Sequence, residues 1–176
     1  LKQKIRKYFK DLIERNNSIK QLTFTIMTAQ ASDSITYNNK TTGMRTEPLR
    51  DYIPQLNLPH LFVATSSFCW RGYFAKWAVD NNKLFLIGFN GQILDNIKVG
   101  MDYIFPGEDV VFAHWFSGKI RTPLGEMIAY VHGGYESAHE GNQYLTFEKG
   151  NLIDVHEKWL TPEEIEKLQN VQEDYF

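Results

Sequence analysis

Disulfides are excluded from this chain by simple arithmetic, because Cys69 is its one cysteine. The thiolate-rich kind of structural zinc site goes with them. A lone cysteine suits a reducing compartment. No apolar run approaches the roughly 18–20 residues that a membrane-spanning helix needs. Residues 1–20 are charged throughout and lack the continuous apolar centre of a secretory signal. The expectation is a cytoplasmic protein. Charge of one sign is not in excess either: 19 Lys and Arg face 21 Asp and Glu, for a formal net charge of −2. A dedicated nucleic-acid binder is normally strongly basic, so no nucleic acid is expected as a partner. His-Glu-x-x-His, Gly-x-Ser-x-Gly, a Walker loop and a dinucleotide fingerprint are all missing. No internal repeat or low-complexity tract divides the chain.

What is abundant is aromatic: 12 Phe, 9 Tyr and 4 Trp among 176 residues. Rings bury much area per residue and sit well on pleated sheets. A chain of this length is one domain, able to bury about 70% of the surface its unfolded form exposes without metal or disulfide. Charge is segregated, with a basic start over residues 1–20 and an acidic end over residues 157–176. Leu1, Ile5, Tyr8, Phe9, Leu12 and Ile13 recur at helical spacing, predicting a basic amphipathic helix. From Leu22 the period becomes two, a strand signal over residues 22–26. Residues 1–26 therefore read as a helix and first strand, ahead of a single β-rich domain over 27–176.

Within that domain, strands are expected over residues 35–37, 68–79, 83–89, 110–116, 126–132, 144–148 and 152–156, with residues 119–121 continuing the 110–116 strand past Ser117-Gly118. One helical turn is expected near residues 49–53, in an otherwise loop-like stretch from Ser32 to Pro59. Asp80-Asn81-Asn82 and Lys149-Gly150 are turn chemistry for two hairpins. Thr161-Pro162-Glu163-Glu164 combines an N-cap, a proline at the first helical position and a capping box, so a helix starts there. The expected fold is mainly β (α+β): an antiparallel sheet, sandwich or partly closed barrel with an N-terminal and a C-terminal helix.

Two stretches could carry function. In Cys69-Trp70-Arg71-Gly72-Tyr73, strand alternation sets Arg71 beside rings, where a guanidinium either stacks or presents a fork to an anion. The competing reading is a structural arginine that covers an aromatic cluster and pairs with an acid. Cys69 has no base next to it in sequence and reads as a small buried apolar residue. The second stretch runs from His114-Trp115-Phe116-Ser117-Gly118 through Arg121 to His132-Gly133-Gly134-Tyr135 and His139-Glu140. Its histidines offer acid–base groups, but their spacing fits no metal motif, so no metal or cofactor is expected. Ser117-Gly118 reads as a strand bend. The candidate binding residues are Arg71, Trp70, Tyr73, His114, Arg121, His132, Tyr135 and His139.

Cys69-Trp70-Arg71-Gly72-Tyr73 with Trp77, Lys83-Leu84-Phe85-Leu86, Phe112-Ala113-His114-Trp115-Phe116-Ser117-Gly118, Arg121-Thr122-Pro123-Leu124-Gly125 and Tyr130-Val131-His132-Gly133-Gly134-Tyr135 together resemble an uncharacterised bacterial protein family. The resemblance spans about Met27 to Val155. It implies that residues 1–26 are an extension ahead of the shared domain, and it assigns no activity to any residue. Aromatic-rich segments of mixed polarity, without a catalytic motif, point to a small cytoplasmic protein-binding domain of immunity or regulatory type. Its partner would be another protein, and a homodimer is compatible with the oppositely charged ends. The alternative is a small-molecule-binding protein or enzyme with a pocket lined by Arg and His.

Overall fold

In the computed structural model, residues 29–130, 135 and 137–173 are described; the expected N-terminal helix and the strand over residues 22–26 lie outside them. The strands are β1 (Asp33–Tyr37), β2 (Lys40–Met44), β3 (Tyr73–Asp80), β4 (Lys83–Gln92), β5 (Lys98–Val99), β6 (Val111–Phe112), β7 (Gly118–Ala129), β8 (Ala138–Glu148) and β9 (Asn151–Trp159). Two helices accompany them, the single turn α1 (Met101–Ile104) and the C-terminal α2 (Pro162–Glu173). The mainly β reading stands.

The strands form one sheet in the order β2-β1-β3-β4-β9-β8-β7, with β5 and β6 added against β4. β4 meets β9 only where Lys83 faces Asn151. The sheet therefore works as two halves joined at a corner. Ile35, Trp77, Leu84 and Leu86 from one half pack in a single core with Ile120, Leu145 and Phe147 from the other. A backbone bond from Arg45 N–H to Arg121 O, 2.8 Å, brings the β2 and β7 ends together. The sheet does not close into a barrel.

Nor is it purely antiparallel, as the sequence led us to expect: β1 runs parallel to β3, with Ile35 opposite Trp77. Parallel neighbours need a long crossover, and the chain from Asn38 to Gly72 supplies it while forming β2 on the way. The sequence reading missed β2. Asn38 and Asn39 turn it back on β1 with φ of 48° and 60°, the left-handed pair a two-residue hairpin demands. Asn81 and Asn82 do the same between β3 and β4, with φ of 47° and 58°.

Other expected strands shift for identifiable reasons. The strand expected over residues 68–79 begins only at Tyr73. Gly72 has φ +73°, and a Cβ there would lie 2.3 Å from Val63 O. The apolar run over residues 110–116 is strand only at Val111–Phe112; Ala113 N–H bonds Leu84 O and Phe116 N–H bonds Ala113 O, so the chain turns and its rings pack at a corner. β7 takes in residues 119–121, read as a continuation of the 110–116 strand, and residues 126–129 of the strand read over 126–132, of which residues 131 and 132 lie outside the described residues. Its register against β8 shifts near Gly125, φ +70°. In α2 the capping box is formed: Glu164 N–H bonds Thr161 Oγ1, and Thr161 N–H bonds Glu164 Oε2 at 2.8 Å.

Gly150 holds the corner where the two halves meet. Its N–H bonds Phe116 O and its carbonyl accepts from Leu84 N–H. At φ +78°, a Cβ on it would sit 2.6 Å from Ala113 O. Gly107 has a similar φ of +80° but open space around it. Gly107→Ala therefore pays only the left-handed backbone cost, about 1–2 kcal/mol, whereas Gly150→Ala adds a backbone clash. Urea unfolding of the two variants is expected to show the larger loss for Gly150→Ala; equal losses would mean the corner yields freely.

Candidate functional site

The site grows from one buried acid. Asp33 opens β1 in phase with inward-facing Ile35, and its side chain is 0% exposed. A carboxylate so placed must be satisfied by donors. Oδ1 accepts from Arg71 Nη2 at 2.8 Å and from Ala75 N–H at 2.9 Å; Oδ2 receives a longer contact of 3.5 Å from Trp77 Nε1. Burial pushes the Asp33 carboxyl above the usual carboxylate range, and the Arg71 charge opposes that push. β3 and the turn before it thus close around β1.

Arg71, its side chain 8% exposed, carries the network outward. Its guanidinium lies 5.4 Å from the Tyr73 ring centroid and 5.3 Å from that of Phe74. Nη1 donates to Tyr135 Oη at 2.7 Å and stands 3.7 Å from Glu47 Oε1. Tyr135 Oη in turn donates to Glu47 Oε1 at 2.9 Å. Burial works against the guanidinium, yet Asp33, Tyr135 and Glu47 hold its pKa above the ordinary arginine value. Burial, with Glu47 beside it, also raises the Tyr135 hydroxyl, against the pull of Arg71. It stays protonated and serves as a bridge. Arg71 does not present a free fork to an anion: Asp33 answers its charge, and Nε, which has no partner among the described residues, is buried.

Above this floor opens a concave pocket of about 530 Å³, walled by Leu61, Phe62, Trp70 and Tyr73 over Arg71 and Glu47. Trp70 is 46% exposed and Leu61 68%. The turn that presents Trp70 is pinned by its N–H to Gln30 Oε1, 3.1 Å, and by Ala31 N–H to Phe68 O, 2.9 Å. Phe62 packs on Tyr73 and Phe89 at ring-centroid distances of 5.5 and 5.1 Å. Glu47 is approached at 4.0 Å by exposed Arg50, an arrangement of little energetic weight.

A second cluster latches the chain at Tyr135 and Ser137. Arg45 Nη1 donates to the carbonyls of Tyr135 and Ser137, and Arg121 Nη2 donates to Tyr135 O at 3.2 Å. Arg45 Nη2 also meets His139 Nδ1 at 2.6 Å. An arginine only donates, so Nδ1 of His139 is the acceptor and the imidazole is neutral. Desolvation, then the Arg45 charge, lowers the His139 pKa; desolvation, then Arg121, lowers that of Arg45.

Of the residues singled out from sequence, Arg71, Trp70, Tyr73 and Tyr135 meet at the pocket, while Arg121 and His139 belong to the adjoining latch. His114 joins neither; its exposed ring packs edge-on against Trp115 and Tyr52, at 5.3 and 6.1 Å. His132 lies outside the described residues. Cys69 is fully buried, its Sγ 3.5 Å from Tyr73 O. Asp33, Glu47 and Arg45 were missed. Asp33 alone carried a signal, an acid in phase with the inward face of a strand. Among the described residues no cluster of His, Cys, Asp or Glu is arranged to hold a metal, and no helix is long and apolar enough to cross a membrane. No family model, curated protein or solved structure matches the chain.

Two predictions follow the charges. Arg71→Met leaves Asp33 buried and unpaired, which is expected to cost about 3–5 kcal/mol. Adding Asp33→Asn removes the orphaned charge and is expected to recover part of that loss in urea unfolding; a double variant as weak as the sum of the singles would mean the pair is not coupled. For His139, a folded pKa held below its unfolded value of about 6.5 means the contribution is complete above that value and is lost as pH falls through the folded one. Stability measured against pH should therefore drop more steeply on acidification in the wild type than in His139→Asn, whose amide oxygen accepts from Arg45 without titrating.

Proposed function

We propose that this protein is a binding domain that grips a partner polypeptide, with an apolar or aromatic side chain of the partner seated in the pocket over Arg71. The observation that carries this reading is the contrast within the site. An aromatic-walled concavity with exposed Trp70 and Leu61 at its mouth stands on a floor of charges already bonded to one another. Anchors of binding interfaces have this make-up, with rings and an arginine around a pocket that expels water. Arg71 fixes the floor, and Glu47 is left to meet a donor at the end of the inserted group.

The reading of an enzyme with Arg and His around its pocket finds less support. No histidine lines this pocket among the described residues. Those placed by the structure are engaged elsewhere, His139 with Arg45 and His114 with rings. The protein-binding reading is therefore preferred, and an immunity or regulatory type in a cytoplasmic setting is part of the same proposal.

Capture from the lysate of its own host, followed by titration of the purified partner, tests it. A partner retained at near-equal amount should lose about 30-fold or more in affinity with Trp70→Ala, the scale of an interface anchor. Thermal stability of that variant should be close to wild type, because the ring is half exposed. An affinity unchanged by Trp70→Ala and by Leu61→Asp would remove the pocket from the interface.

A further inference from the structure

Among the described residues the sheet leaves a long edge of β9 open. At its two ends β2 and β7 are drawn together by the Arg45–Arg121 backbone bond, and α2 packs on β7. The outer edge of β4 is occupied in turn by β9, β6 and β5. β9 is paired with β8 on both sides of a bulge at Ile153, but on its other side only its first residues are met, by Asn151 opposite Lys83 and Leu152 N–H on Asn82 O. From Ile153 to Trp159 that edge has no strand beside it among the described residues, and every residue there is exposed. Ile153 is 60% exposed, Val155 39% and Trp159 52%. An edge of this length and apolarity is a template for a further strand. The chain leaves it clear: Leu160 N–H bonds Glu140 O on the β8 side, and α2 then lies toward β7.

We propose that the occupant is β9 of a second copy, paired antiparallel about a two-fold axis at His156. The sequence of the strand is complementary to its own reverse. In this register Asp154, which also holds His156 of its own chain at 3.0 Å, faces Lys158 of the other copy, twice by symmetry. Val155 faces Glu157, and exposed Ile153, at a bulge of β9, lies toward exposed Trp159. A register one step further along would set Glu157 against itself, and like charges directly opposite are destabilising. One step back, Val155 would face itself, but Asp154 would lose Lys158 and Ile153 would face Glu157. A two-fold interface requires this self-complementarity, since each patch must match itself. The result is a sheet continuous across both copies, with the pockets over Arg71 outside the joint.

The register is testable by charge reversal. In sedimentation equilibrium from micromolar concentration upward, the full chain is expected to dimerise. Asp154→Lys puts lysine opposite lysine at two symmetric places and should weaken the dimer about tenfold or more. Adding Lys158→Asp restores both pairs and should restore the dimer. Both substituted forms should share the unfolding midpoint of the wild type at concentrations where all three proteins are monomeric, the sites being exposed. In the same register His156 meets itself at a Cα separation of about 4.5–5.5 Å, which suits a disulfide. His156→Cys should thus give a covalent dimer on mild oxidation, whereas Glu126→Cys, on β7, should not. A wild type that stays monomeric throughout, a dimer indifferent to Asp154→Lys, or cross-linking no better at 156 than at 126 would each overturn the proposal.

Discussion

A single buried ion pair, Arg71 on Asp33, holds the candidate site of this protein together. Removing two charges from water is costly, and hydrophobic residues of similar volume can do as well for stability alone. What the pair supplies is position. Asp33 takes the Ala75 N–H and the Trp77 indole together with the guanidinium, so it ties the parallel β1 to β3. Arg71, held at its inner end, places Tyr135 and stands beside Glu47 at its outer end. Four segments distant in sequence thereby converge on one guanidinium, and the aromatic walls stand around it.

The second cluster does related work with opposite economy. Around Asp33 one cation is balanced by acids. In the latch, Arg45 and Arg121 place their donors on carbonyl oxygens and a neutral imidazole, and burial, then the neighbouring Arg121 charge, lowers the Arg45 pKa. Neutral acceptors suit such a site because they solvate positive charge without fixing a counter-ion. Tyr135 belongs to both clusters, through its hydroxyl to the first and its carbonyl to the second. The wall it contributes is therefore fastened at two points on one residue.

How much of this was legible in the chain follows from the range of each interaction. The hairpins at Asn81-Asn82 and Lys149-Gly150 and the capped start of α2 depend on neighbours a few residues apart, and they could be read. Asn38-Asn39 carries the same turn chemistry, yet β2 went unseen, because Lys40–Met44 is polar and lacks the alternation that marks a strand. The apolar run around residues 110–116 misled for the reverse reason: its rings pack at a corner, which local hydrophobicity cannot distinguish from a sheet. Arg71, Trp70, Tyr73 and Tyr135 stood out by type and company. Their acids did not, since Asp33 and Glu47 become partners of Arg71 only through the crossover that makes β1 parallel to β3.

That crossover also has a kinetic side. Closing a long loop costs entropy before any contact rewards it, and parallel pairing is slow for that reason. The local hairpins β3–β4 and β8–β9 can form early, but the Arg71 cluster needs β1, the segment after β2, the turn before β3 and the chain beyond β7 all in place. The pocket is thus assembled late in folding. The concavity is then a property of the finished chain alone, absent from partly folded forms that already contain most of the sheet.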